Sequence, residues 1–279
     1  MAQRSRRVLP YILGLLVLLA AVAMARRGWS FYGLSLEDRV EHPDFRKLRP
    51  SGSIGMGYGF VAAGLVILNL SYLVRRLIAG SNRLGSMRVW LDLHVFTGLM
   101  AATLVVFHSA LQLRTPIAKT SAASLAVVVL TGLIGRFLYA LTPPDASRLR
   151  LALDRLEGAA PGARLQATAI LDGLPAPRLP ANASLVRSLI SVPRWRKVAA
   201  LRASALRVLE PPRAEATPEV RAAWRELHKA STAEARASGM AALLRSWRGL
   251  HRFFALLMLI AVGVHAGIAW HYGYRWIFA

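Results

Sequence analysis

The sequence predicts an all-α integral membrane protein, a bundle of about five transmembrane helices with a helical cytoplasmic insertion. Three observations carry that expectation. The chain has 279 residues, 55% of them hydrophobic, and a mean hydropathy of +0.40, too apolar for an ordinary soluble domain. Five stretches have few or no charges over roughly 18–25 residues, the length at which a helix crosses the hydrocarbon of a bilayer. The 36 Lys and Arg residues outnumber 14 Asp and Glu, and they cluster between those stretches and at their ends. In lipid every backbone N–H and C=O must be satisfied within its own segment, which selects the helix.

The first span runs about 8–25, behind Arg4, Arg6 and Arg7. Its basic start and Ala23-Met24-Ala25 also resemble a signal peptide with a small-residue cleavage site. Residues 26–56 read as an extracytoplasmic loop of mixed charge, with Asp44, Phe45 and Pro50-Ser51-Gly52 as turn chemistry. The second span covers about 57–76 and the third about 89–113. The loop between them, 75–88, carries Arg75, Arg76, Arg83 and Arg88 and no acid. The fourth span runs about 119–141, completing a membrane region over 1–141.

Residues 142–248 carry 18 Lys or Arg and are too long for a bare loop, so they are expected to hold structure of their own. Pro143-Pro144, Pro161-Gly162, Pro175, Pro177, Pro180 and Pro211-Pro212 divide them into short helical pieces. A longer helix over about 217–245 is expected to run straight into the fifth span, about 249–272, within a last region 249–279. The basic insertion reads as a cap on the inner leaflet or as a docking platform for an electron donor; composition favours the cap. Counting helix ends, 27 of the 36 basic residues fall inside when the N-terminus is cytoplasmic and the C-terminus is not. That topology suits a multi-pass protein of a cytoplasmic membrane.

The charge and cysteine counts narrow the function. A net charge of +22 suits phosphate binding, but no nucleic-acid motif accompanies it, so anionic lipid headgroups and acidic redox proteins are the expected partners. There is no cysteine, which excludes thiolate-held Fe–S clusters, covalent haem attachment, thiol catalysis and disulfides within this chain. A redox cofactor would rest on histidine, methionine or packing.

Histidine provides the motif. His94 and His108 lie 14 positions apart in the third span, and His251 and His265 lie 14 apart in the fifth. Fourteen residues of helix rise roughly 21 Å and return within about 40° of the same face. Each helix therefore offers two imidazoles on one face, one near each edge of a bilayer. The two spans run parallel, so His94 shares a depth with His251, and His108 with His265. Ionisable groups in a bilayer are costly, and four of the seven histidines share this spacing. Two histidines per level are too few for zinc, whereas a haem needs only two axial ligands and, held on both faces, suits electron transfer.

Other residues fit the same chemistry less specifically. Gly98, Gly263 and Gly267 would let a flat macrocycle approach the helices, although Gly263 and Gly267 also make a small-xxx-small packing face. Arg83, Arg88, Arg136, Arg248 and Arg252 ring the inner edge, and Arg114 and Arg275 the outer one, where arginine pairs propionates or simply marks the interface. Trp90, Trp247, Trp270 and Trp276 read as interfacial anchors. His42, His228 and His271 read as solvated or packing histidines, His271 with a weaker reading as a quinone or proton site. Asp92 is the single carboxylate within the spans, too few for a proton relay.

His94-x13-His108 on the third span and His251-x13-His265 on the fifth resemble the di-haem cytochrome b transmembrane domains, in particular the ferric reductase-like group. Leu130-Thr131-Gly132-Leu133-Ile134-Gly135-Arg136-Phe137-Leu138-Tyr139 and the ending Gly273-Tyr274-Arg275-Trp276-Ile277-Phe278 look like bacterial membrane proteins of this kind. The resemblance covers about 57–141 and 245–279. It implies two non-covalent haems b and electron transfer across the membrane, with His94 and His251 on the inner haem and His108 and His265 on the outer one. The family's sixth span, its flavin and nicotinamide domain and a Gly-x-Gly-x-x-Gly loop have no counterpart here. Electrons would therefore come and go through separate redox partners, such as other subunits of a complex. A quinol-oxidising or quinone-reducing subunit, with quinone bound beside one haem, is the second expectation, and a haem-free scaffold or transporter the third.

Overall fold

A computed structural model describes residues 2–78, 84–140, 147–174, 185–212, 214 and 216–274. Arg83, Pro143, Pro144, Pro175, Pro177, Pro180, Arg275, Trp276, Ile277 and Phe278, singled out above, lie outside them. The protein is all-α, with no strand among the described residues. Five helical stretches are long and apolar enough to cross a membrane: Val8–Arg27, Phe45–Leu77, Met87–His108, Pro116–Tyr139 and Leu243–Tyr272. It is a multi-pass membrane protein by that measure. The chain divides into two compact units, Met1–Leu133 with Phe253–Ala279, and Ile134–Arg252.

In the first unit, α1 (Ala2–Arg27) and α4 (Ser53–Asn69) both pack on α6 (Met87–His108). Between α1 and α4 the expected loop is folded into α2 (Trp29–Tyr32), a 3₁₀ turn (Asp38–Val40) and α3 (Phe45–Leu48). Its aromatic residues explain the order. Phe31, Tyr32 and Leu48 are buried with Met24, Ala62, Leu104, Phe107 and Ala110 in one apolar cluster joining this cap to the spans. Arg27 and Asp44 approach to 3.9 Å across the cap.

The second span is not one helix. Leu70 interrupts it between α4 and α5 (Ser71–Leu77): Leu73 N–H donates to Leu70, 2.9 Å, rather than to Asn69 one full turn back. The third span ends at His108, five residues short of the expected position. Ala110 and Leu111 then take positive φ, 49° and 60°, a region L-residues enter at a cost of roughly 1–2 kcal/mol each. The fourth span begins α7 (Pro116–Ala140), with proline at the helix start, where its missing N–H costs nothing.

The second unit has its own core. On α8 (Ser147–Ala159), Ala152, Leu153 and Leu156 meet Ala167 and Leu171 of α9 (Ala163–Gly173). Leu206 of α11 (Val192–Leu209) and Trp224 and Leu227 of α12 (Pro218–Ala269) complete the cluster. A short helix, α10 (Leu185–Ile190), precedes α11. The helix expected at 217–245 is the start of α12 (Pro218–Ala269), which continues without interruption through the fifth span and ends in a π turn, Trp270–Tyr274.

Candidate cofactor site around His108 and His265

The first unit brings one predicted histidine pair together. The imidazoles of His108, on the last turn of α6, and His265, on the end of α12, have ring centroids 6.3 Å apart and planes 84° apart. Two imidazoles bound trans on one metal, with metal–nitrogen bonds of about 2 Å, place their centroids roughly 6 Å apart. Ser121 of α7 helps seat the α12 segment, donating to the Ala261 carbonyl at 3.0 Å.

His108 is oriented by α4. Its Nδ1 lies 2.9 Å from the Gly55 carbonyl, which can only accept, so Nδ1 carries the proton and Nε2 keeps its lone pair. That is the tautomer in which a metal-binding histidine is held by an outer hydrogen bond. Gly59, one helical turn on, makes the approach possible. A Cβ there would sit 2.8 Å from both Cε1 and Nδ1 of His108.

His94 repeats the arrangement one bilayer level away. Its Nδ1 lies 3.4 Å from the Asn69 carbonyl, the group that Leu73 leaves unclaimed at the α4–α5 break. Asn69 is itself fixed, because Thr97 Oγ1 donates to its Oδ1 at 2.8 Å. Tyr72 packs tilted against the His94 ring, with centroids 4.8 Å and planes 39° apart. His94 belongs to the first unit and His251 to the second, so each is described within its own unit. His251 is partly buried on α12.

A cavity of about 810 Å³ opens at the His108–His265 pair. Its lining includes the small residues Gly59, Ala62, Ala63, Ala118, Ala122 and Ala266 and, from the cap, Phe31, Leu36 and Phe45. Arg39, Arg49 and Arg114 also reach it. Arg39 is buried, and its guanidinium donates to the carbonyls of Tyr32 at 2.6 Å, Ala110 at 2.8 Å and Leu34 at 3.0 Å, over the face of Phe31. Burial and then the charge of Arg114 hold its pKa below the usual arginine range. Arginine remains cationic even so.

The other sequence candidates have plainer settings. A Cβ on Gly98 would meet the Asn69 side chain at 3.5 Å, ordinary contact with α4. Around Gly263 and Gly267 such a Cβ would meet nothing within 4 Å, so neither is used to press another helix close. His42 accepts from the Asp44 N–H at 3.1 Å and lies 3.1 Å from Ser30 Oγ, a structural role in the cap. His228 lies 3.4 Å from Glu210, and exposed His271 stands against Tyr272. Trp90 Nε1 donates to the Leu84 carbonyl at 2.7 Å. Trp247 lies beside Gly135, and Trp270 lines the cavity, half exposed. Arg88 and Arg252 are exposed, and buried Asp92 sits on α6. Among the described residues no three His, Asp or Glu side chains converge as a bare metal site would require.

Sequence reasoning passed over Gly55, Gly59, Asn69 and Arg39. A signal for the acceptors existed: Gly55 and Asn69 are themselves 14 positions apart, matching His94 and His108. Two imidazoles one bilayer level apart need two acceptors at the same spacing on the neighbouring helix. No family model matches the chain, and no curated protein or solved structure matches it.

Proposed function

We propose that this chain is a membrane di-haem b cytochrome subunit that carries electrons across the bilayer between separate redox partners. The observation that carries the reading is the facing pair His108 and His265, 6.3 Å between centroids, with the Nδ1 of His108 committed to Gly55. At His108 and His265 the residues present fit the group, and these two would hold the outer haem. The equal 14-residue spacing assigns His94 and His251 to the inner one. The small side chains of the cavity leave room for a flat ring, and Arg39, Arg49 and Arg114 would offer cations to its carboxylates. A bound haem supplies one-electron exchange at its iron. The chain's own part is to fix the tautomer of each α6 histidine through Gly55 and Asn69 and to bring His265 opposite His108, where the imidazoles would hold the iron and help set its potential.

On this reading the protein lies in a bacterial cytoplasmic membrane, N-terminus inside, with redox proteins or other subunits of a complex as partners. The test is a reduced-minus-oxidised visible spectrum of the detergent-purified protein, expressed with ample haem, with haem counted per chain. Two haems b per chain are expected, and none would end the proposal.

A quinone-reducing or quinol-oxidising subunit is the second reading. The presence of Phe31, Leu36 and Phe45 in the cavity lining favours it, since apolar walls with a small number of placed polar groups suit such a ligand. Quinone-site inhibitors would then alter the kinetics of haem reduction, and under the first reading they would not.

A further inference from the structure

We propose that the outer face of α10 and α11 binds anionic lipid headgroups, laying the second unit on a bilayer leaflet. The proposal does not depend on haem. From 173 to 209 the sequence has no Asp or Glu but contains seven Arg or Lys. The inner side of α11 accounts for little of this charge. Trp195, Ala199, Arg202 and Leu206 are buried at helical spacing, and Arg202 is answered by Glu234 at 2.7 Å.

On the outer side Arg194, Arg196, Lys197 and Arg207 are exposed, and among the described residues none pairs with a carboxylate. Large aliphatic side chains stand between and beside them. Leu201 and Val208 are 49% and 83% exposed on α11, and Val186, Leu189 and Ile190 form an exposed i, i+3, i+4 row on α10. Cations interleaved with exposed aliphatics are the composition of a helix that lies in a membrane interface. An acidic protein or polyanion would answer the charge and leave the aliphatic row in water. A leaflet answers both, with phosphates meeting the cations and the upper acyl region taking the aliphatics. The segment is also tethered where it is needed, between the spans Pro116–Tyr139 and Leu243–Tyr272.

Because the chain has no cysteine, an Ile190→Cys substitution carries a single polarity-sensitive fluorophore in the full-length protein. The protein is placed in nanodiscs of phosphatidylcholine alone or with phosphatidylglycerol. The expected result is a blue-shifted, acrylamide-shielded probe only in the anionic discs, reversed by high salt. The shift should vanish in R194Q/R196Q/K197Q, whose exposed positions leave the helical signal unchanged. A probe at Glu219→Cys, exposed at the start of α12, should stay in water in both discs. The proposal is overturned by a probe at 190 that stays in water, is equally buried in both lipids, or keeps its shift in high salt or in the triple variant. An equal shift at 219 overturns it as well, because the response would not belong to this face.

Discussion

At His108 the candidate ligand is made by backbone as much as by its own ring: the Gly55 carbonyl accepts a hydrogen bond from Nδ1–H, and Gly59 leaves space for the ring edge. A branched side chain at 59 must push the imidazole away. Gly59→Val is therefore expected to lower haem content from two to about one per chain while the protein still purifies folded, read by the same difference spectrum. Arg39 acts on the same turn by a different route, since it donates to the Ala110 carbonyl within the positive-φ pair. Arg39→Gln strands at least one buried carbonyl, and a loss on the order of 3 kcal/mol follows from the value of charged hydrogen bonds. Thermal unfolding in detergent would show it as a lower midpoint, with Arg39→Lys recovering only part, because an ammonium lacks the guanidinium's planar fork.

Tyr32 gives the same cap a pH dependence. Burial first, then the neighbouring Tyr58, pushes its pKa up from 10.0 to about 12. The folded state thus keeps the proton longer than the unfolded state does. Its stabilising share is complete below pH 10 and is lost as pH rises through about 12. An alkaline unfolding step in that window should disappear in Tyr32→Phe. The hydroxyl is buried without a hydrogen-bond partner among the described residues, so the same variant should be as stable at neutral pH or firmer by about 1 kcal/mol.

At the scale of the element, the break at Leu70 matters more than the helix it interrupts. A continuous second span would pair the Asn69 carbonyl with Leu73; the break hands it to His94. The Thr97 hydroxyl has a single proton within reach of the Leu93 and His94 carbonyls of its own helix and of Asn69 Oδ1, and donated to Asn69 it holds that side chain in place. Thr97→Val removes that hold without changing the volume much. It should shift the midpoint potential of one haem and leave the other where it was, as redox titration of the two spectral components would report. Equal movement of both, or of neither, would separate Asn69 from the ligand's orientation.

At the scale of the whole molecule, the two histidine levels are expected to behave as independent sites. His108→Ala, His265→Ala and their double variant should each leave one haem, because a site is lost once either ligand goes. His94→Ala combined with His108→Ala should leave none. Counting haem in the four proteins checks both statements, and a double His108→Ala/His265→Ala variant without any haem would tie the levels together.

The fold was largely legible because its signals are local. Run length, charge placement and histidine spacing lie within single segments, and a bilayer turns them into helices with little help from distant contacts. The all-α class, the five spans and the 14-residue histidine spacing follow from the sequence by itself. So does the run of one helix from the insertion into the fifth span, since no proline or turn cluster interrupts 219–269. The folded cap, the early end of α6 at His108, the break at Leu70 and the buried Arg39 were decided by tertiary structure. The contacts that use them join partners far apart in sequence, 71 residues for Arg39 with Ala110 and 53 for His108 with Gly55, and a local pattern does not encode such a distance. A histidine's position on a helix is written in its spacing. Which of its nitrogens is left to bind a metal is settled only when a carbonyl from another helix arrives beside it.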